Sequence, residues 1–232
     1  MARPPQDPAR QLERAHRILD AAAELILRWG YDKTTIDDIA RQAGVAKGTI
    51  YLHWKTRDAL FVALLRRERV ATLDEVRQAD PRTVRELVRA LSAGLLRRPL
   101  MRAVLLDDSE VLGRLTRVKL DRPISADGFD RFFGELREHG AIRPELSLGE
   151  DIVILSSVIY GFLMIAHHTP PDYRLPDDRL AELLADTAHR ALDPGRPVDG
   201  EHAAAVARAT QDYAELASVL AQRKLDDSLK GA

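Results

Sequence analysis

Apolar residues recur at steps of three and four along almost the whole chain, the period of an amphipathic helix, while alternating β-branched runs are few. Ala15, Ile18, Ala22, Leu25 and Trp29 fall on one face of a first helix that stops at Gly30, a residue suited to a left-handed cap. Thr35 is placed to cap a short second helix whose inner face is Ile36, Ile39, Ala40 and Ala43. Asp38, three residues on, can close a capping box, although Glu or Gln is the usual partner. Gly44 ends that helix. A third begins near Val45 or Ala46 and carries Ile50, Tyr51 and Trp54, and Thr56 then caps a long fourth through Leu60, Phe61, Leu64 and Leu65. Two short helices joined by a turn at a glycine have the spacing of a helix-turn-helix unit.

Further helices are predicted over 81–97, 99–106, 109–121, 125–139, 147–168, 177–192 and 200–229, with prolines from Pro99 to Pro197 punctuating them because proline breaks a helix interior. The expected fold is all-α, with an N-terminal helix-turn-helix domain and a larger helical ligand-binding and dimerisation domain. Ile152 to Ala166 is apolar nearly all round but interrupted by Ser156, Ser157 and Gly161. It falls short of the roughly 18–20 apolar residues of a membrane span, so no membrane partner is expected. A helix apolar on every side should pack one side on its own core and the other on a second copy. Beyond the Pro194–Pro197 linker, Val206, Tyr213 and Leu220 recur every seven residues with Ala209 and Leu216 between them. This stripe is too short for an independent coiled coil and predicts a helix docked on its own subunit or across a dimer, anchored by Tyr213 and Leu216.

With 232 residues the chain allows a small domain joined to a larger one, and the division expected is 1–66, 67–198 and 199–232. Met1 to Arg14, charged and Pro-rich, reads as a flexible arm. It lacks the apolar segment of a signal peptide. The net charge of −1 gives no global nucleic-acid signature, so any DNA-binding surface must be local. The absence of cysteine excludes disulfides, thiolate zinc sites and cysteine nucleophiles, and fits the cytoplasm.

The run from Gly30 through Thr35, Ile39 and Ala40, then Ala43-Gly44-Val45-Ala46-Lys47-Gly48-Thr49-Ile50-Tyr51-Leu52-His53-Trp54-Lys55-Thr56-Arg57, closely resembles the DNA-binding domain of the tetracycline-repressor (TetR) family over roughly residues 12–65. It departs at Trp54, where the family has a smaller aromatic, and at Leu52, where an aromatic or polar residue is common. The residues themselves agree with the resemblance. The third helix is short, small at its start and polar where it would face a groove, and a major groove about 12 Å wide admits such a helix. Lys47, Gly48 and Thr49 allow close backbone approach, and Tyr51 and His53 offer polar tips. Thr34 and Thr35 open the second helix, whose free N–H groups suit a phosphate. From Lys33 to Arg57 five cations, Lys33, Arg41, Lys47, Lys55 and Arg57, face Asp37 and Asp38, a local charge of +3. The DNA-contact set is therefore Lys33, Thr34, Thr35, Lys47, Gly48, Thr49, Tyr51, Leu52, His53, Lys55 and Arg57, with Trp54 assigned to the core.

The partners expected are a double-stranded DNA operator, a second copy of the chain and an unidentified small-molecule effector. The resemblance implies a four-helix dimer bundle, to which we assign Ser157, Gly161, Leu180, Leu184 and Thr187. Leu105, Phe129, Phe133, Tyr160 and Met164 are candidate effector contacts among apolar helices that can equally be plain core. Adjacent His167 and His168 point about 100° apart on a helix and are poorly placed to share a metal. Asp107, Asp108 and Glu110 read as a helix start. No metal or cofactor is expected, and no nucleophile elbow, phosphate loop or zinc-protease motif appears, so the chain reads as a regulator and not an enzyme. The alternative is a dimeric helical small-molecule-binding protein that does not read DNA.

Overall fold

Eleven α-helices follow one another in a computed structural model that describes residues 8–113, 126–195, 197 and 200–229, and no strand occurs among the described residues. The first four are α1 (Pro8–Trp29), α2 (Ile36–Ala43), α3 (Lys47–His53) and α4 (Arg57–Gln78). Next come α5 (Val84–Leu96), α6 (Pro99–Leu106), α7 (Ser109–Leu112) and α8 (Ala126–Glu138). The chain continues with α9 (Leu148–His168), α10 (Asp177–Leu192) and α11 (Gly200–Leu229).

Side-chain caps set the boundaries. Thr35, Thr56, Thr83 and Ser147 each accept a hydrogen bond from a backbone N–H in the first turn of the helix that follows, and Asp108 does so twice. The Thr83 cap starts α5 at Val84, three residues later than the proline at 81 suggests. Part of the expected arm, from Pro8 onward, is helical, whereas residues 1–7 and the far end of the expected 109–121 helix lie outside the described residues. Trp29 is 40% exposed, against expectation, because the inner stripe of α1 runs through Ile18, Leu19, Ala22, Leu25 and Ile26.

Two cores meet along α4. The first joins the apolar faces of α1–α4 with Leu100 and Ala103 of α6 and Leu112 of α7, so the helix-turn-helix unit is seated on the larger domain. The second gathers α5, α8, α10 and α11 around Phe132, Phe133, Leu136, Leu184 and Val206. α4 passes unbroken through the expected 66/67 boundary.

α9 presents two unlike sides. Leu163 is buried and Ile159 and Phe162 are half-buried, while Val153, Tyr160, Met164 and Ile165 face outward. An 18-residue window, Leu148–Ile165, reaches a mean hydropathy of 1.8, long and apolar enough to cross a membrane by length and composition alone, which corrects the shorter apolar count above. The helix begins in a Ser147/Glu150 capping box, and its Asp151, fully buried, pairs with Arg137 of α8. Such an ion pair ties the start of α9 to the helix bundle.

Candidate nucleic-acid interface

α3 is held by its inner side alone. Ile50 is fully buried, and Trp54, 3% exposed, closes its C-terminal end with a backbone N–H to the Ile50 carbonyl at 2.9 Å. The turn between α1 and α2 is stapled to the start of α4 by Tyr31. Its ring meets Phe61 edge-on at 4.8 Å, its hydroxyl donates to Asp58, and the Arg57 guanidinium lies over its face at 4.1 Å. Arg57 also donates to the Thr34 carbonyl at 3.0 Å. With these anchors set, α3 turns Lys47, Gly48, Tyr51 and Leu52 to solvent, and Thr49 and His53 are half-buried.

Two residues expected at the DNA are turned inward. Thr34 is fully buried and its hydroxyl donates to the Gly30 carbonyl at 2.8 Å, so its side chain closes the turn and does not reach a phosphate. Arg57 is committed to Tyr31 and Thr34, a fixed position that sequence spacing cannot reveal. Thr35 is engaged with Asp38, whose backbone N–H donates to the threonine hydroxyl at 3.2 Å. The Thr35 hydroxyl and backbone N–H in turn donate to the Asp38 carboxylate, at 2.5 and 3.3 Å, and with Arg41 beside it they hold that carboxyl below its ordinary range.

The charge pattern is also less open than the count of +3 suggested. Arg41 pairs with Asp38 at 2.5 Å and Lys47 with Asp37 at 2.8 Å, which raises the Lys47 ammonium above its ordinary value. Lys33 and Lys55 stand exposed. A phosphate must therefore compete with Asp37 for Lys47. Burial pushes the His53 imidazole down, and Arg14 of α1 adds to the shift, while the ring leans on Trp54 at 5.3 Å. Both effects favour the neutral form of the ring. Sequence reasoning missed Arg14, which lay in the expected arm. The signal was there in Arg10, Arg14 and Arg17, at helical spacing along α1.

The family described as bacterial regulatory proteins, tetR family, matches residues 18–64, the span that contains all of these anchors. The amino-terminal domain belongs to the tetR family. An uncharacterised HTH-type transcriptional regulator of Bacillus subtilis, YvdT, is 41% identical over 61 residues, 26% of this chain and 31% of its own length. The HTH-type regulator AcrR of Shigella flexneri is 28% identical over 165 residues, 65% of this chain and 77% of its own. A transcriptional regulator FadR of Bacillus subtilis, solved in complex with stearoyl-CoA, superposes with a TM-score of 0.53 at 19% identity, over 75% of this chain and 96% of its own. At that identity the likeness shows the fold. The first four curated relatives are matched over 26–32% of their own length.

Behind the tetR-type head, the expected effector residues do not converge. Phe129 and Phe133 stack at 5.2 Å in an aromatic cluster completed by Phe132 and by Tyr213 of α11, whereas Tyr160 and Met164 are exposed on the outer side of α9. Leu105 packs elsewhere, against the core between α5, α6 and α10. Periodicity identifies an apolar face without saying whether it looks into the bundle or out of it. A cavity of about 410 Å³ does open beside α6, α9 and α10, with Leu96, Phe162, Leu180 and Leu183 as apolar wall and Arg102 and Arg174 among its polar groups. None of the five residues lines it.

Of the expected dimer set, Ser157, Gly161 and Thr187 are exposed. Leu180 and Leu184 are buried within their own subunit, so they are not available to a partner. The inner stripe of α10, Leu180, Ala181, Leu184, Ala185, Ala188 and Leu192, belongs to the intramolecular core. The side chain of His167 lies outside the described residues, and no group of three metal-ligating side chains occurs among those described.

Proposed function

We propose that this chain is a homodimeric, DNA-binding transcriptional repressor of the cytoplasm, released from its operator by a small molecule. The observation that carries the reading is the recognition helix. α3 is locked to a tetR-family core by Ile50 and Trp54 and turns Lys47, Gly48, Tyr51 and Leu52 outward as one exposed surface. Phosphate neutralisation by Lys33, Lys47, Lys55 and Arg14 supplies position, and Thr49 and Tyr51 supply sequence preference.

The second copy covers the outer side of α9, where Val153, Ser157, Tyr160, Gly161, Met164 and Ile165 form an apolar stripe along the helix. A two-fold dimer sets its two recognition helices about 34–36 Å apart, the spacing of successive major grooves. An effector lowers operator affinity to the extent that it binds the wrongly spaced state more tightly. The cavity beside α6 falls in the range of roughly 300–1,000 Å³ usual for small-molecule sites. Its apolar wall with Arg102 and Arg174, two cations against the one carboxylate of Asp177, suits an amphipathic anion, in line with the stearoyl-CoA bound to the similar Bacillus subtilis regulator.

Selection of bound fragments from random duplex DNA at moderate salt tests the reading. The expected product is a near-palindrome whose log affinity falls linearly with log salt. A selection that returns no sequence preference overturns it. Fatty acids and acyl-CoA esters of graded chain length, titrated into the operator complex, test the effector class.

A further inference from the structure

α11 lies outside the family match and spans 30 residues, roughly 45 Å at 1.5 Å per residue. It runs along α4 for much of its length. The buried line is small and not leucine-rich: Val206, Ala209, Thr210, Ala214, Ala217, Ser218, Ala221 and Leu225 face inward, and Leu216, expected as an anchor, is exposed. Small residues let two helices approach closely. Polar contacts extend the seam. Ser218 donates to Asp74 at 2.6 Å, Gln211 donates to Asp80 at 2.5 Å, and Glu215 lies 3.7 Å from Arg77.

Its two ends touch different machinery. In the upper half, Tyr213 stacks on Phe132 at 4.3 Å and meets Phe129 edge-on, which ties α11 to α8. In the last turn, Leu229 packs against the core of the reading head, and Arg66 of α4 donates to the Lys224 carbonyl at 3.3 Å and to the Ser228 hydroxyl at 2.6 Å. The Trp54 indole N–H donates to the Ser228 carbonyl at 3.1 Å. The last four carbonyls of a helix have no partner within it, so the residue that ends the recognition helix also satisfies the end of α11.

We propose that α11 is a strut that positions the recognition helix and carries the state of the α8 aromatic cluster to it, with Trp54, Arg66 and Ser228 as positioning residues. The proposal rests on the DNA-binding reading above and adds a route for its regulation. Tyr213 and Ser228 are fifteen residues apart, roughly 22 Å along a stiff helix. A shift of α8 therefore arrives at Trp54 as a shift of the whole strut, in parallel with any movement of α4.

The test is a coupling cycle, run in the 232-residue chain and in a chain ending at Arg223. Replacing Trp29 with Phe leaves Trp54 as the sole tryptophan, a direct reporter of the Ser228 contact. In that background Tyr213→Leu is expected to shift Trp54 emission to the red and to weaken binding of the selected operator about fivefold or more, the lower end of usual coupling between sites. In a chain ending at Arg223, the same substitution is expected to have no further effect on either readout. Trp54→Phe, which keeps an aromatic ring and deletes the N–H donor, should weaken the operator too and be non-additive with Tyr213→Leu, so a poorly folding truncation still leaves a decisive cycle. The proposal is overturned if Tyr213→Leu leaves Trp54 emission unchanged, or if its effect on affinity is the same with and without residues 224–232 or simply adds to that of Trp54→Phe. The emission arm needs no DNA, so failure of the strut and failure of DNA binding are told apart.

Discussion

Replacing Gly30 with alanine probes how the reading head is seated. Gly30 ends α1 with φ +78°, a left-handed conformation that costs an L-residue roughly 1–2 kcal/mol. A Cβ built there would stand 2.6 Å from the Glu110 carbonyl oxygen, a backbone atom that cannot swing aside as a side chain would. Relief requires α7 to move, which strains the Tyr31 N–H bond to the Val111 carbonyl at 2.8 Å, a net contribution of about 1 kcal/mol. Movement of α7 also withdraws part of Leu112, now 3% exposed, from the first core, where full burial of a leucine contributes about 1.5–3 kcal/mol. Gly30→Ala is therefore expected to destabilise by about 3–5 kcal/mol. Gly44 is an internal control. It has nearly the same backbone, φ +65°, but nothing lies within 4 Å of its Cβ position, so Gly44→Ala should show the conformational cost alone, about 1–2 kcal/mol. Urea unfolding of both variants beside the parent chain measures the difference. Equal losses, or a larger loss at Gly44, would refute the claim that α7 seats the reading head through this contact.

Asp37→Asn frees Lys47 from its 2.8 Å partner and removes a carboxylate that repels phosphate. Affinity for unrelated duplexes should rise and the salt dependence steepen, as read by anisotropy titrations at several salt concentrations, and unchanged binding would exclude competition between Asp37 and DNA. Gly161→Leu should abolish dimer formation in sedimentation while helix content holds, because its Cβ meets nothing within the subunit and the cost falls only on a close crossing with the second copy. An undisturbed dimer would place the interface away from α9. Hydrogen bonding from Arg98, then Arg97, holds the Glu75 carboxyl down at about 2. A depressed folded value means that its stabilisation is present above the ordinary value of 4.5 and lost as pH falls from there towards about 2. The stability gap between the parent and Glu75→Gln should close over that window in pH-dependent melts, and a gap independent of pH would show that the ion pairs with Arg97 and Arg98, in the turn between α5 and α6, are screened away.

Local chemistry was enough to read most helix boundaries. The caps Thr35 and Thr56, the stop at Gly44 and the proline punctuation act within a few residues, so they are written in the order of the chain. The reading head was legible for the same reason. Its anchors Ile50 and Trp54 and its outward residues Lys47, Gly48 and Tyr51 lie on one seven-residue helix and its cap, where the 3.6 period separates inner from outer side. Only the tertiary structure decided which apolar faces look at one another. Leu180 and Tyr160 both sit on apolar stripes, yet one is buried in its own bundle and the other is exposed, because burial depends on where distant helices cross. The same holds for Arg57, turned inward by Tyr31, for Leu216, rotated outward by the close packing of α11 on α4, and for the contact of Trp54 with Ser228, 174 positions away. Helical period fixes a residue's angle about its own axis, and the placement of that axis is set by the packing of the whole chain.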